Sequence, residues 1–307
     1  MHGVFGSGKS YTLVVLIIFL STLLDEAGED DVRILVSAAT NTAVDRILLG
    51  LLELDFDNFI RVGSLKRISK KILPYTLYRE KKDDTFRSKD RQDSVALRDL
   101  KELLDSSANE EERNIVLDMM AAVKNGQMEN RINKLKQTRV VGVTCAASVF
   151  PVLSDNKFSI VILDECSQMV EPLSLLPISR FGCAKLLLVG DPMQLPPTLT
   201  SFADNETDGL GKTLFSRMVE QNVTPVMLRT QYRLHPHLSA IVNKLFYSNH
   251  LLDGVSPEQR SGVVPHLPPL LFLDMQDDGR EIADPSGSLH NPFEARVVMH
   301  ILKLLGH

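Results

Sequence analysis

Six short apolar runs, rich in β-branched residues, set the strongest limit on how this chain can fold. They cover residues 32–37, 59–62, 140–144, 159–163, 185–190 and 226–228. Each is apolar at successive positions and does not alternate, so each predicts a strand covered on both faces. Helical stretches separate the runs, which predicts an α/β fold with a mainly parallel sheet. Residues 64–138 break the rhythm. They are charged, poor in strand formers and carry the spacing Leu97, Leu100, Leu103, Leu104, so a helical insertion is expected there. Residues 200–212 read as a surface loop. Residues 253–290 are rich in Gly, Pro and Asp, as suits a linker, with a new strand expected at 270–273. Asn291, Pro292 and Glu294 form a helix-start signature, and that helix is expected to run to Gly306. The expected organisation is a first lobe over 1–252 and the start of a second over 253–307.

Bulk properties narrow the function classes. The chain has 307 residues, 44% hydrophobic and 24% charged, with a formal net charge of -5. A nucleic-acid binder of this balance must use a local basic patch. One stretch qualifies: residues 61–101 hold 13 Lys/Arg against 6 Asp/Glu. It reads either as a solvated helical face or as a phosphate contact. Cys145, Cys166 and Cys183 are too few and too scattered for a disulfide framework or a zinc site. Lys9 followed by the apolar run 13–24 imitates a secretion signal, but the run is too short to span a bilayer.

The residues before that run settle its meaning. Gly3-Val4-Phe5-Gly6-Ser7-Gly8-Lys9-Ser10 fits the P-loop spacing G-x-x-x-x-G-K-[ST]. Gly3, Gly6 and Gly8 let backbone N–H groups, including that of Ser7, wrap a phosphate, and the following helix aims its positive end at the same anion. Lys9 would neutralise the β/γ-phosphates of ATP and Ser10 would ligate Mg²⁺. A second motif, Ile160-Val161-Ile162-Leu163-Asp164-Glu165, brings two carboxylates to the end of a buried strand. Asp164 is expected to hold Mg²⁺ and Glu165 to polarise the attacking water. Cys166 reads as a packed small side chain.

Asp164-Glu165-Cys166-Ser167-Gln168, Gly190-Asp191-Pro192-Met193-Gln194-Leu195-Pro196-Pro197 and Gln231-Tyr232-Arg233-Leu234-His235-Pro236 occur in series. In these motifs the chain resembles superfamily 1B helicases of the up-frameshift type, which have a RecA-like P-loop fold. Stretches such as Asn41-Thr42-Ala43-Val44-Asp45 and Val140-Val141-Gly142-Val143-Thr144-Cys145 narrow the resemblance to the DNA helicases that carry a GRF-type zinc finger. The resemblance implies that Gln194 senses the γ-phosphate, Tyr232 sits against adenine and Arg233 acts as an arginine finger. It implies that Thr40, Asn41, Thr144, Pro196 and Pro197 line the groove for a single strand, DNA more than RNA. It further implies 5′ to 3′ movement, a nuclear location and a role in repair. Pro196-Pro197 equally suits a strand end, His235 a structural hydrogen bond, and Asn291 with Glu294 a helix cap.

The chain also departs from that family. Only Met1 and His2 precede Gly3, so the central strand that normally carries a P-loop is expected to be missing and the loop unanchored. The family's upstream adenine-reading glutamine, its later second-lobe motifs and the zinc finger have no counterpart. The expectation from the sequence is a partial chain that binds ATP poorly, hydrolyses it negligibly and tends to aggregate. A non-catalytic fragment that binds nucleic acid or protein partners is the competing reading.

Overall fold

A computed structural model describes residues 1–77, 104, 117, 120–121, 132–199, 209, 211–261, 267–274, 281–285 and 287–305. Two compact units are present, Met1–Arg229 and Thr230–His307. The first is built on a parallel sheet. Strands β2 (Ile34–Ala38), β3 (Phe59–Val62), β4 (Val140–Thr144), β5 (Ile160–Asp164) and β6 (Lys185–Leu188) lie in the order β3-β4-β2-β5-β6. The expected runs therefore form strands. β2 starts later than expected, at Ile34, and the Arg33 guanidinium just before it bonds the carbonyls of Thr138 and Leu135 and the side chain of Asn156.

Residues of one strand alternate between two cores. Ile34, Val36 and Ala38 face one apolar cluster, whereas Leu35 joins the other. Ile162 likewise lies opposite in sense to Val161 and Leu163. A period of two thus fills both faces of the sheet, which is why the runs are apolar throughout. Helices α1 (Lys9–Glu26) and α2 (Asn41–Glu53) cover the first face. α1 buries Leu13, Val14, Ile17 and Ser21, while Val15, Phe19 and Leu23 stay exposed. The run 13–24 is therefore covered on one side only. α2 sits close over β4 because Gly142 has no side chain: a Cβ there would lie 2.8 Å from a Leu48 methyl. Two further helices, α3 (Glu171–Arg180) and α4 (Leu214–Glu220), belong to the same unit.

The structure corrects the expectation of an unanchored P-loop. Strand β1 (His2–Gly3) pairs in parallel with β7 (Met227–Leu228) and bridges to Gly190 on its other side. Gly3 donates its N–H to Gly190 at 3.0 Å, and His2 donates to Val226 at 2.8 Å. Two residues, bonded on both edges, fix the start of the loop.

In the second unit, β8 (Thr230–Gln231) pairs with β9 (Leu252–Asp253), and β10 (Ile282–Ala283) forms an antiparallel pair with β11 (Leu289–His290). Helix α5 (Pro236–Phe246) follows β8. Helix α6 (Pro292–Leu305) begins where the start signature lies: Asn291 Oδ1 accepts from the N–H groups of Phe293 and Glu294. Residues 270–273 are not a strand. They are irregular and exposed, with no pairing segment among the described residues. Most of the expected insertion at 64–138 and of the loop at 200–212 lies outside the described residues. The described start of the insertion holds two short 3₁₀ turns, Leu65–Arg67 and Leu73–Tyr75. Among the described residues no helix is long and apolar enough to cross a membrane.

Candidate functional site

The P-loop closes on itself. Gly6 and Gly8 have φ of 61° and 80°, a left-handed conformation that side chains resist, and Gly8 turns the chain into α1. Lys9 folds back over Gly3, so a Cβ at Gly3 would lie 2.1 Å from the lysine stem. Its ammonium donates to the carbonyls of Gly3 at 2.8 Å and Val4 at 3.2 Å. The Ser7 hydroxyl donates to the Val4 carbonyl at 2.8 Å. Burial pulls the Lys9 ammonium below its ordinary pKa, while the carboxylates of Glu165, Asp191 and Asp164 push the other way. The loop's cation thus sits in the field of three acidic side chains delivered by distant segments. Ser10 follows in the first turn of α1.

Asp164 ends β5 in register with Ala38 at the end of β2, and Ala38 is in register with Thr144 at the end of β4. The C-terminal ends of the parallel strands therefore share one rim, where sheets of this class place ligands. Asp164 is fully buried. Its Oδ2 accepts from Arg46 at 3.1 Å, and its Oδ1 accepts no hydrogen bond among the described residues. Burial raises the Asp164 pKa first, and neighbouring Glu165 adds to the rise, against the pull of Arg46. Glu165 holds a left-handed backbone at φ 55°, unusual for a side chain of its size. That conformation turns the chain sharply at the strand end, and Glu165 Oε1 accepts from Arg46 at 2.9 Å. Cys166 beside it is fully buried, and burial drives its thiol far up, so it is packing and not a nucleophile.

Gln194 is exposed but tied: its amide donates to Asp191 Oδ2 at 2.7 Å. Asp191 is a buried hub. Its Oδ1 contacts His2 Nε2 at 3.0 Å and accepts from the Met193 N–H at 3.2 Å, and its own N–H donates to the Ser167 hydroxyl at 2.9 Å. Thus Gln194, the start of β1 and the turn after Glu165 are joined through Asp191, the first two by its carboxylate and the third by its backbone N–H. Pro196 is exposed and Pro197 half-buried.

Thr40 caps α2, accepting from the Ala43 N–H at 3.2 Å. Asn41 Oδ1 accepts from Arg61 at 2.8 Å. Arg61 is buried and also donates to Asp45 at 2.8 Å, while Asp45 accepts from the Ser69 N–H at 2.7 Å. Thr144 is buried and accepts from the Ala147 N–H at 3.3 Å.

In the second unit the Gln231 side chain, fully buried, builds the turn that presents Tyr232 and Arg233. Its oxygen accepts from the N–H groups of Arg233 at 2.9 Å and Leu234 at 2.7 Å, and its amide donates to Asp253 at 2.6 Å. Tyr232 and Arg233 are exposed. The Tyr232 ring lies against Gly254, where a Cβ would come within 2.2 Å. His235 accepts from the His237 N–H at 3.1 Å and so caps α5.

Sequence reasoning did not single out Arg46, Asp191 as a hub, or the Arg61–Asp45 pair. Arg46 and Arg61 carry no motif. The available signal was an arginine set among apolar neighbours, on α2 and within β3 respectively, which demands a partner.

The AAA domain family matches residues 1–202, and a second AAA domain family matches residues 210–307. The mouse 5'-3' DNA helicase ZGRF1 is 46% identical over 311 residues, covering 99% of this chain and 16% of that protein. The Neurospora crassa regulator of nonsense transcripts 1 homolog is 34% identical over 55% of this chain and 16% of its own length. The Saccharomyces cerevisiae ATP-dependent helicase NAM7 is 28% identical over 83% of this chain and 24% of its own length. The chain thus spans a quarter or less of each of these proteins. Its strand-end carboxylates, its P-loop on a parallel sheet and these matches agree, and the chain belongs to the up-frameshift-like superfamily 1B helicases with AAA-type RecA-like domains.

Proposed function

We propose that this chain carries the ATP-hydrolysing centre of a helicase that moves 5′ to 3′ along single-stranded DNA. The observation behind this reading is the convergence of Lys9, Asp164, Glu165 and Asp191 at the rim of one parallel sheet. The N–H groups of Gly3, Gly6, Ser7 and Gly8 would wrap the phosphates, and Lys9 would turn from its own loop onto their β and γ oxygens. The donor set fits a divalent cation: a serine hydroxyl at Ser10, and at Asp164 a buried carboxylate oxygen without a hydrogen bond among the described residues. Magnesium, when bound there, would neutralise charge on the transferred phosphoryl group. Glu165 would orient and polarise the attacking water. Gln194, held by Asp191, would sense the γ-phosphate, with Tyr232 against adenine and Arg233 as the arginine finger.

Thr40, Asn41, Thr144, Pro196 and Pro197 are proposed as contacts to the strand. The hydrogen bonds that Thr40 and Thr144 accept stiffen these segments and leave room for a further partner at each hydroxyl. We place the first lobe at residues 1–252 and the linker with the start of the second at 253–307; the compact units themselves divide after Arg229. DNA is preferred over RNA because the relative matching nearly the whole chain is a DNA helicase by name. A nuclear location and a part in repair follow from the same resemblance.

The test is ATP turnover with Mg²⁺, with and without single-stranded DNA or RNA, beside Glu165→Gln. The reading expects DNA-stimulated turnover that falls at least about a hundredfold in the variant, within the usual range for a lost acid–base partner. Turnover that ignores the strand, or that survives in Glu165→Gln, would contradict it. Nucleotide binding with no turnover would favour the non-catalytic reading.

A further inference from the structure

The side chain that engages both strand-end carboxylates is Arg46, and none of the motifs assigns it a role. One guanidinium nitrogen lies 3.1 Å from Asp164 Oδ2 and 2.9 Å from Glu165 Oε1. It therefore contacts both the proposed metal ligand and the residue proposed to polarise water. Its backbone belongs to α2, five residues after Asn41, on the helix capped by Thr40. Arg46 is 48% exposed. It also lines a cleft of 720 Å³ between α1, α2 and the turn at 65–69, together with Ser10, Glu53, Lys66 and Arg67. The side chain thus has open space beside it, in a cleft whose lining includes the acid Glu53 and the cations Lys66 and Arg67.

We propose that Arg46 is a latch that competes with the divalent cation for Asp164 and Glu165. A single positive charge between two acids partly neutralises them, but it offers no open coordination position. A cation ligated by Asp164 would meet the guanidinium as a like charge at short range, so binding requires Arg46 to swing out into the cleft. Glu165 loses its ionic partner in the same movement and becomes able to orient water. Because Arg46 rides on the helix that starts at Thr40 and Asn41, a strand gripping that helix end shifts the same latch. Arg46 acts through the two carboxylates and is a positioning residue. The inference rests on the nucleotide-site reading above, yet its core can be tested with metal alone.

The experiment is a titration of the chain with Mn²⁺, followed by electron paramagnetic resonance, in wild type, Arg46→Gln, Arg46→Lys and Arg46→Gln/Asp164→Asn. Removing the ionic hydrogen bonds of Arg46 is expected to tighten Mn²⁺ binding about tenfold. Arg46→Lys keeps the charge and should stay within a few-fold of wild type. The double variant should lose the gain. Unchanged or weaker Mn²⁺ binding in Arg46→Gln overturns the latch, and weaker binding would make Arg46 part of the metal-bound arrangement. The Lys9→Ala chain separates the two readings. It should lose nucleotide, and Arg46→Gln added to it should still tighten Mn²⁺ binding, so a failure to bind ATP does not decide the latch.

Discussion

Asp164 illustrates how burial loads a single residue. Its carboxyl is fully buried at the end of β5, and burial together with Glu165 raises its pKa. The fold therefore penalises the charged carboxylate relative to the unfolded chain. Ionisation of Asp164 lowers stability as pH rises from its unfolded value through the raised folded one, and the cost is fully present above the folded value. Asp164→Asn is expected to melt higher than wild type near neutral pH, with the difference shrinking in acid; scanning calorimetry at both conditions checks this. Gly8 offers an opposite case. At φ 80° an alanine costs about 1–2 kcal/mol, visible as a lower urea midpoint, with no clash to blame since nothing lies within 4 Å of its Cβ position. The glycines, Lys9 and the Asp-Glu pair were legible because their chemistry fixes their spacing. Arg46 was not, because its partners lie 118 and 119 positions away and only the fold brings them together.

At the scale of elements, α2 joins the two sides of the site. Its start carries Thr40 and Asn41, its middle Arg46, and its buried face rests on β4 where Gly142 leaves room for Leu48. Gly142→Ala would press a methyl into that contact, costing about 1–3 kcal/mol by overpacking. The Arg61–Asp45 pair fixes the same helix from β3. Arg61→Met leaves the Asp45 carboxylate buried without its ion partner, and a loss of about 3–5 kcal/mol is expected from urea unfolding. Adding Asp45→Asn should recover part of it. The main strands were legible from their unbroken apolar runs, to within two residues at each end. The two-residue β1 was not, since a ladder that short leaves no pattern in sequence. Residues 270–273 misled for the opposite reason: four apolar residues resemble a strand, but no described segment pairs with them.

For the whole molecule, the order β3-β4-β2-β5-β6, with β1 bridging Gly190 and pairing with β7, brings motifs far apart in sequence to neighbouring strand ends. All of these strands run parallel, so their C-terminal ends gather the P-loop, the Asp164–Glu165 turn and the Asp191–Gln194 turn on one rim. The chain matches nearly its full length to a DNA helicase, of which it covers 16%. The most direct test of the central claim is calorimetric titration of ATP in the presence of Mg²⁺ into wild type and Lys9→Ala. A single saturable site in wild type, weakened at least about tenfold in the variant, is the predicted result. Equal binding by both chains, or no binding by wild type, would contradict the assignment of this rim as the ATP site.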